Sequence, residues 1–268
     1  MYKKNLLMFL KKKKIFEKFK KKIPIICITS YTAPIAKIAD KYADIILVGD
    51  SVGPVLYGFN STRKVSIDLI SQHAKAVAKQ AKRAMVVVDM PYGTYERDAK
   101  LAYKNAKKIL SETGADAVKL EGGENFFDTI KFLIKKKINV MGHIGLLPQQ
   151  HNGKYPVYGR KKNEKKKILN DLGSLEKAGV FAVVVECTIE PVVKKLMENS
   201  NIPIIGIGAT SDCDGQILVA EDLLGLTDFD AKFLKKYSNL DMIISRAFQK
   251  FSLDVVKRKY PQKKNYYK

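Results

Sequence analysis

Residues 115–123 read Ala115-Asp116-Ala117-Val118-Lys119-Leu120-Glu121-Gly122-Gly123. A short apolar run stops on a carboxylate and two glycines. Parallel strands buried on both faces look like this, nearly continuous in apolar residues with polar groups held back to the C-terminal end. Lys119 and Glu121 stand two apart, so on a strand they project to the same face.

The pattern repeats on both sides. Apolar runs occupy 23–28, 44–48, 84–88, 138–141, 181–185 and 202–207. Most of them run into a carboxylate, a glycine or both: Val48-Gly49-Asp50-Ser51, Val88-Asp89-Met90-Pro91, Met141-Gly142-His143-Ile144-Gly145, Val185-Glu186-Cys187 and Gly206-Ile207-Gly208-Ala209. Between the runs lie amphipathic helical stretches at 67–83, 98–113, 125–137, 165–178 and 191–199. Strand alternating with helix means βαβ units and a parallel sheet. An eighth strand is expected at 231–237, and eight would close the sheet. The expected fold is α/β: a single (β/α)8 TIM-type barrel over 23–268 with a C-terminal helical tail. An N-terminal Lys-rich helical segment over 1–22 precedes it and covers one end. The 268 residues suit a fold of about 250.

Composition excludes several classes. Hydrophobic residues make up 46% and charged residues 28%, enough for a core and too apolar for wholesale disorder. No apolar run approaches the roughly 18 residues of a membrane span. The 3 cysteines, Cys27, Cys187 and Cys213, have no CxxC spacing, which argues against a disulfide scaffold and a structural zinc site and for a reduced, cytoplasmic setting. The net charge of +22 invites a nucleic-acid reading, yet only 6 of the 49 basic residues are arginine. Base and phosphate recognition favours arginine, whereas these lysines are spread along the whole chain as solvated surface charge. No nucleic-acid and no membrane partner is expected.

In a (β/α)8 barrel the strand ends converge on one mouth, where catalysis occurs. Asp50, Asp89 and Glu121 would meet there and repel one another unless a cation sat among them. Hard oxygen donors favour Mg2+, which keeps waters and takes only one or two carboxylates directly, so one of the three is expected to act through water. As helix N-caps they would need no ion. Lys119 beside them either anchors a substrate carboxylate, forms a Schiff base, or pairs with Glu121. Glu186 follows an apolar run, where partial desolvation raises a carboxylate toward a general base's range. His143 either binds substrate or braces a carboxylate. Gly206-Ile207-Gly208 lacks the longer phosphate-binding fingerprint.

The segments Val48-Gly49-Asp50-Ser51-Val52-Gly53, Asp89-Met90-Pro91, Val118-Lys119-Leu120-Glu121-Gly122-Gly123, Gly142-His143-Ile144-Gly145-Leu146, Gly206-Ile207-Gly208-Ala209 and Asp214-Gly215-Gln216-Ile217-Leu218-Val219 together resemble the ketopantoate hydroxymethyltransferase family. The resemblance runs from about residue 23 to 226. It implies a barrel of the phosphoenolpyruvate/pyruvate superfamily. The implied reaction moves a one-carbon unit from 5,10-methylenetetrahydrofolate, as cosubstrate, to 3-methyl-2-oxobutanoate. The product is 2-dehydropantoate, in pantothenate biosynthesis. By motif match it implies Mg2+ at Asp50, Asp89 and Glu121, keto-acid contacts at Asp50, Ser51, Asp89 and Lys119, and Glu186 as the proton acceptor. It implies a cytoplasmic homodecamer. The chain departs from the family pattern at Thr32, Arg63, Lys64, Lys154 and Tyr158. A Mg2+-dependent 2-oxo-acid lyase or mutase of the same barrel superfamily would share the metal site without folate. The chain lacks the cysteine flanked by Lys, Gly and His of the lyase branch.

Overall fold

A computed structural model of the chain describes residues 2–151 and 155–267. Eight parallel strands pair in sequence order and the first closes onto the last. They are β1 (Ile25–Thr29), β2 (Ile45–Val48), β3 (Met85–Asp89), β4 (Ala117–Glu121), β5 (Val140–Gly145), β6 (Ala182–Glu186), β7 (Ile204–Ile207) and β8 (Gly215–Leu218). The eighth strand is therefore not at 231–237, where no strand forms. That stretch carries Lys232, Lys235 and Lys236, which suit water better than a barrel wall. The true β8 is only four residues long and holds an exposed Gln216, so its apolar signal is faint.

Helices alternate with the strands: α1 (Tyr2–Lys20), α2 (Ala33–Ala39), α3 (Val52–Tyr57), α4 (Ile67–Gln80), α5 (Ala99–Thr113), α6 (Phe127–Lys135), α7 (Lys162–Ala178) and α8 (Glu190–Asn199). Local chemistry sets several of their starts. Ser66 Oγ accepts the Leu69 amide ahead of α4, and Asp98 accepts the Lys100 and Leu101 amides ahead of α5. Ahead of α7, Glu164 Oε2 gathers the amides of Gly159, Arg160 and Lys161.

The chain divides into two compact units, residues 1–219 and 220–268. The second holds α9 (Ala220–Leu223) and α10 (Leu240–Val256), the latter capped by Asn239. Among the described residues, no helix is long and apolar enough to cross a membrane.

Strand alternation sorts the core. One parity of side chains, including Ile46, Val48, Val86, Val88, Val118, Leu120, Val183 and Val185, packs under the helices. The other parity, including Ile25, Cys27, Ile45, Leu47, Met85, Val87, Ala117, Met141, Ala182, Val184, Ile205 and Ile217, fills the barrel interior. Helix α1 closes the floor. Its Ile15 is buried within the interior cluster. Lys11 Nζ donates to Asp116 Oδ2 at 3.0 Å, and Lys18 Nζ donates to Asp44 Oδ2 at 2.5 Å. Lys12 Nζ donates to Asn139 Oδ1 at 3.3 Å and stands 5.9 Å from the Phe181 ring centre. Asp44 and Asp116 also accept the Ile26 and Val86 amides, so each acid ties α1 to the sheet.

Candidate active site

The interior parity continues upward and changes character. On β3 it runs Met85, Val87, Asp89; on β4, Ala117, Lys119, Glu121; on β5, Met141, His143; on β6, Ala182, Val184, Glu186. The alternation that buries the apolar floor therefore aims the polar groups into the mouth. Register sets them side by side: Asp89 is opposite Lys119, Glu121 opposite His143, and Gly145 opposite Glu186. Just past β2 the interior position falls on Gly49. A β-carbon there would stand 2.8 Å from Ser51 Oγ and 3.4 Å from Asp89 Oδ2. Glycine leaves that space to the polar groups.

The side chains meet closely. Lys119 Nζ lies 2.7 Å from Asp89 Oδ1. The Asp50 amide donates to Asp89 Oδ2 at 3.0 Å. Lys119 Nζ is 3.4 Å from His143 Nδ1, and His143 Nε2 is 3.1 Å from Glu186 Oε2. His143 Nδ1 is 3.6 Å from Glu121 Oε1. Ser51 Oγ hydrogen-bonds the Tyr31 hydroxyl at 2.7 Å. All the residues expected to form the site thus come to one end of the barrel. Lys119 takes Asp89, rather than Glu121, as its ion-pair partner. Asp50, Asp89 and Glu121 are only 5%, 4% and 3% exposed.

Burial dominates the electrostatics. It pushes the Asp50 carboxyl upward, with Asp89 adding repulsion. Glu121 is raised well above the usual carboxylate range by burial and by Asp50. Burial pushes Glu186 up to about 7, which Lys119 opposes and Asp89 reinforces. Lys119 resists the penalty of its own burial: Asp89, Glu121 and Asp50 together hold its ammonium above the ordinary lysine value. His143 is driven well below its usual value by burial and by Lys119, so it is neutral. Among the described residues, no three acid, imidazole or thiol groups converge as a ready-made metal cage.

Two residues of the site are absent from the sequence expectations. Gln149 hydrogen-bonds Asp50, Glu121 and the Met90 carbonyl, and Tyr95 donates to Gln149. Pro148 ahead of Gln149 is the only local signal, and it does not distinguish Gln149 from the exposed Gln150. Of the departing positions, Thr32 precedes α2 without capping it through its side chain. Arg63 lies over the Tyr92 ring at 3.9 Å, and Lys64 ends a 3-10 turn. The Tyr158 hydroxyl meets His151 Nε2 at 2.7 Å. Lys154 falls outside the described residues.

An eight-stranded α/β barrel whose strand C-termini gather four carboxylates, a lysine and a neutral histidine is an enzyme of acid–base chemistry. The family model for ketopantoate hydroxymethyltransferase matches residues 10–263, and the chain belongs to that family. A relative from Pelagibacter ubique, named 3-methyl-2-oxobutanoate hydroxymethyltransferase, is 48% identical over 252 residues, covering 94% of this chain and 97% of the relative. Among solved structures, a phosphonopyruvate hydrolase complexed with oxalate and Mg2+ aligns with a TM-score of 0.60 at 11% identity, over 95% of this chain and 93% of the other. A 2,3-dimethylmalate lyase, a member of the PEP mutase/isocitrate lyase superfamily, aligns at 0.56 and 13% identity, over 89% and 93%. These two share the barrel fold.

Proposed function

We propose that this site enolises 3-methyl-2-oxobutanoate and adds the resulting carbon nucleophile to the methylene unit of 5,10-methylenetetrahydrofolate, giving 2-dehydropantoate for pantothenate biosynthesis. The observation that carries the reading is Glu186. It is a carboxylate only 13% exposed, with its pKa raised to about 7, beside the Asp89–Lys119 ion pair. Its proton affinity suits a general base working near neutrality.

The chemistry of the donors fits Mg2+. Asp50, Asp89 and Glu121 offer hard oxygen atoms beside one ammonium, and burial together with their mutual repulsion raises Asp50 and Glu121, a penalty that a cation among them would relieve. In this proposal Asp50, Asp89 and Glu121 would hold the ion, one of the three through water. When bound, Mg2+ supplies positive charge against the oxyanion of the enolate.

The chain's own residues do the rest. Lys119 and Ser51 hold the substrate carboxylate. Glu186 accepts the proton from C3, and the C3 electron pair forms the new carbon–carbon bond to the methylene unit. Water releases that unit from both nitrogens of tetrahydrofolate as formaldehyde, leaving N–H on the folate. The C3 pair adds to the formaldehyde carbon, and its oxygen takes up the proton from Glu186 to become the hydroxyl. His143 packs beside Glu186, with Nε2 3.1 Å from Oε2. A cytoplasmic homodecamer belongs to the same proposal and rests on the family resemblance.

The test uses purified protein with Mg2+ and 3-methyl-2-oxobutanoate in D2O. The C3 proton signal is expected to vanish from the NMR spectrum without folate. Product is expected only once methylenetetrahydrofolate is added. Exchange without product would leave the enolisation standing and overturn the hydroxymethyl transfer.

A further inference from the structure

Gln149 sits in the 3-10 turn Pro148–Gln150 after β5 and is 2% exposed. Its side-chain nitrogen donates twice, to Asp50 Oδ2 at 2.8 Å and to the Met90 carbonyl at 2.9 Å. Its side-chain oxygen accepts the Tyr95 hydroxyl at 2.7 Å. Its backbone N–H donates to Glu121 Oε2 at 3.0 Å. One loop residue thus fastens a carboxylate from the end of β2, another from β4, and the backbone after β3.

The orientation of the carboxamide follows from its neighbours. Turned over, its oxygen would face the Asp50 carboxylate and the Met90 carbonyl, two acceptors with no hydrogen between them. Each contact uses one oxygen of its carboxylate and leaves Asp50 Oδ1 and Glu121 Oε1 outside the Gln149 contacts. The donor is also neutral. An ammonium in its place would cancel charge at Asp50 and compete with a cation, whereas a carboxamide fixes the geometry and leaves the charge in place.

We propose that Gln149, oriented by Tyr95, is a positioning residue that presets Asp50 and Glu121 for the cation. The inference rests on the reading of those carboxylates given above. Residues behind metal ligands carry much of a site's affinity because they fix where the ligands stand.

Mn2+ serves as the probe, with binding to the full chain followed by EPR in the absence of substrates. Gln149→Met keeps the length and volume of the side chain, removes its donors and retains the backbone N–H to Glu121. The expected result is Mn2+ binding weaker by about 10–100-fold, with near-UV circular dichroism unchanged. A rise in the Mg2+ concentration needed for half-maximal C3 exchange should accompany it. Wild-type Mn2+ affinity in a folded Gln149→Met protein would overturn the inference. Should that variant fail to fold, Tyr95→Phe decides: it loosens the carboxamide and should weaken Mn2+ severalfold, and unchanged binding again overturns the inference. Wild-type protein that binds no Mn2+ removes the magnesium reading itself, and this inference with it.

Discussion

His143 stands between Lys119 and Glu186, with Nε2 3.1 Å from the glutamate Oε2 and Nδ1 3.4 Å from the lysine Nζ. An ammonium can only donate, so Nδ1 must hold its lone pair toward Lys119 and the ring hydrogen resides on Nε2, facing Glu186. A neutral imidazole already protonated on that side cannot take a second proton from the glutamate cheaply in so buried a place. Glu186 is therefore where the substrate proton stops. Glu186→Gln, nearly identical in shape, should slow C3 deuterium exchange by about 10²–10⁴-fold. Exchange at the wild-type rate would take the base role away from Glu186.

The raised carboxylates also set the sign of a stability change. Glu186 has a folded value of about 7 against 4.5 for the ordinary side chain. Between those values the folded protein holds a proton that the unfolded chain has released. Stability therefore falls as pH rises through that window, and Asp50 and Glu121 push the same way, while His143, lowered from 6.5, pushes the other way below its ordinary value. In EDTA, the melting temperature should drop between about pH 6.5 and pH 8, above the range where His143 opposes, and Mg2+ should raise it most at the upper end. EDTA should also stop turnover and Mg2+ should restore it. An Mg2+ shift that shrinks as pH rises would contradict this assignment of the charges.

Lys119 offers a sharper chemical discrimination. A Schiff-base lysine must give up its proton readily, yet the surrounding acids hold this one above the ordinary value despite its burial. Borohydride added with 3-methyl-2-oxobutanoate should leave the mass of the protein unchanged. Lys119→Met should raise KM for the keto acid and strand Asp89 without its partner at 2.7 Å. A reduced covalent adduct at Lys119 would move the enzyme to a different mechanism.

Gly145 carries a structural constraint beside the base. Its φ is +87°, and a β-carbon would stand 2.3 Å from the Glu186 carbonyl oxygen and 2.5 Å from Thr188 Oγ1. Gly145→Ala must strain the backbone or displace β6 at its catalytic end. The urea midpoint should reveal a loss of at least about 1–3 kcal/mol, together with slower exchange. An alanine variant as stable as wild type would mean that β6 shifts freely there.

Continuous apolar runs made seven strands legible, because a strand buried on both faces needs little else. The runs end early, however. Asp89, Glu121 and Glu186 are the last residues of β3, β4 and β6, a position that hydrophobicity cannot mark. Strand β8 was hidden by its brevity and its Gln216. The charged members of the site were legible because like charges at successive strand ends demand an explanation. Gln149 and Tyr95 were not, since a neutral amide and a phenol gain their roles only from neighbours distant in sequence. Lys119 and Glu121 were rightly placed on one face, but the β3–β4 register, unknown in advance, gave the lysine to Asp89.

Helix α1 comes first in the chain, yet its seat is completed late. That seat takes Asp44 from ahead of β2, Asp116 from ahead of β4, Asn139 from ahead of β5 and Phe181 from ahead of β6. Asp44 is available early in synthesis, whereas Asp116, Asn139 and Phe181 are added only later along the chain. Its many lysines keep an otherwise greasy segment compatible with water over that interval. The complete seat of α1 thus exists only once the chain has been made as far as Phe181.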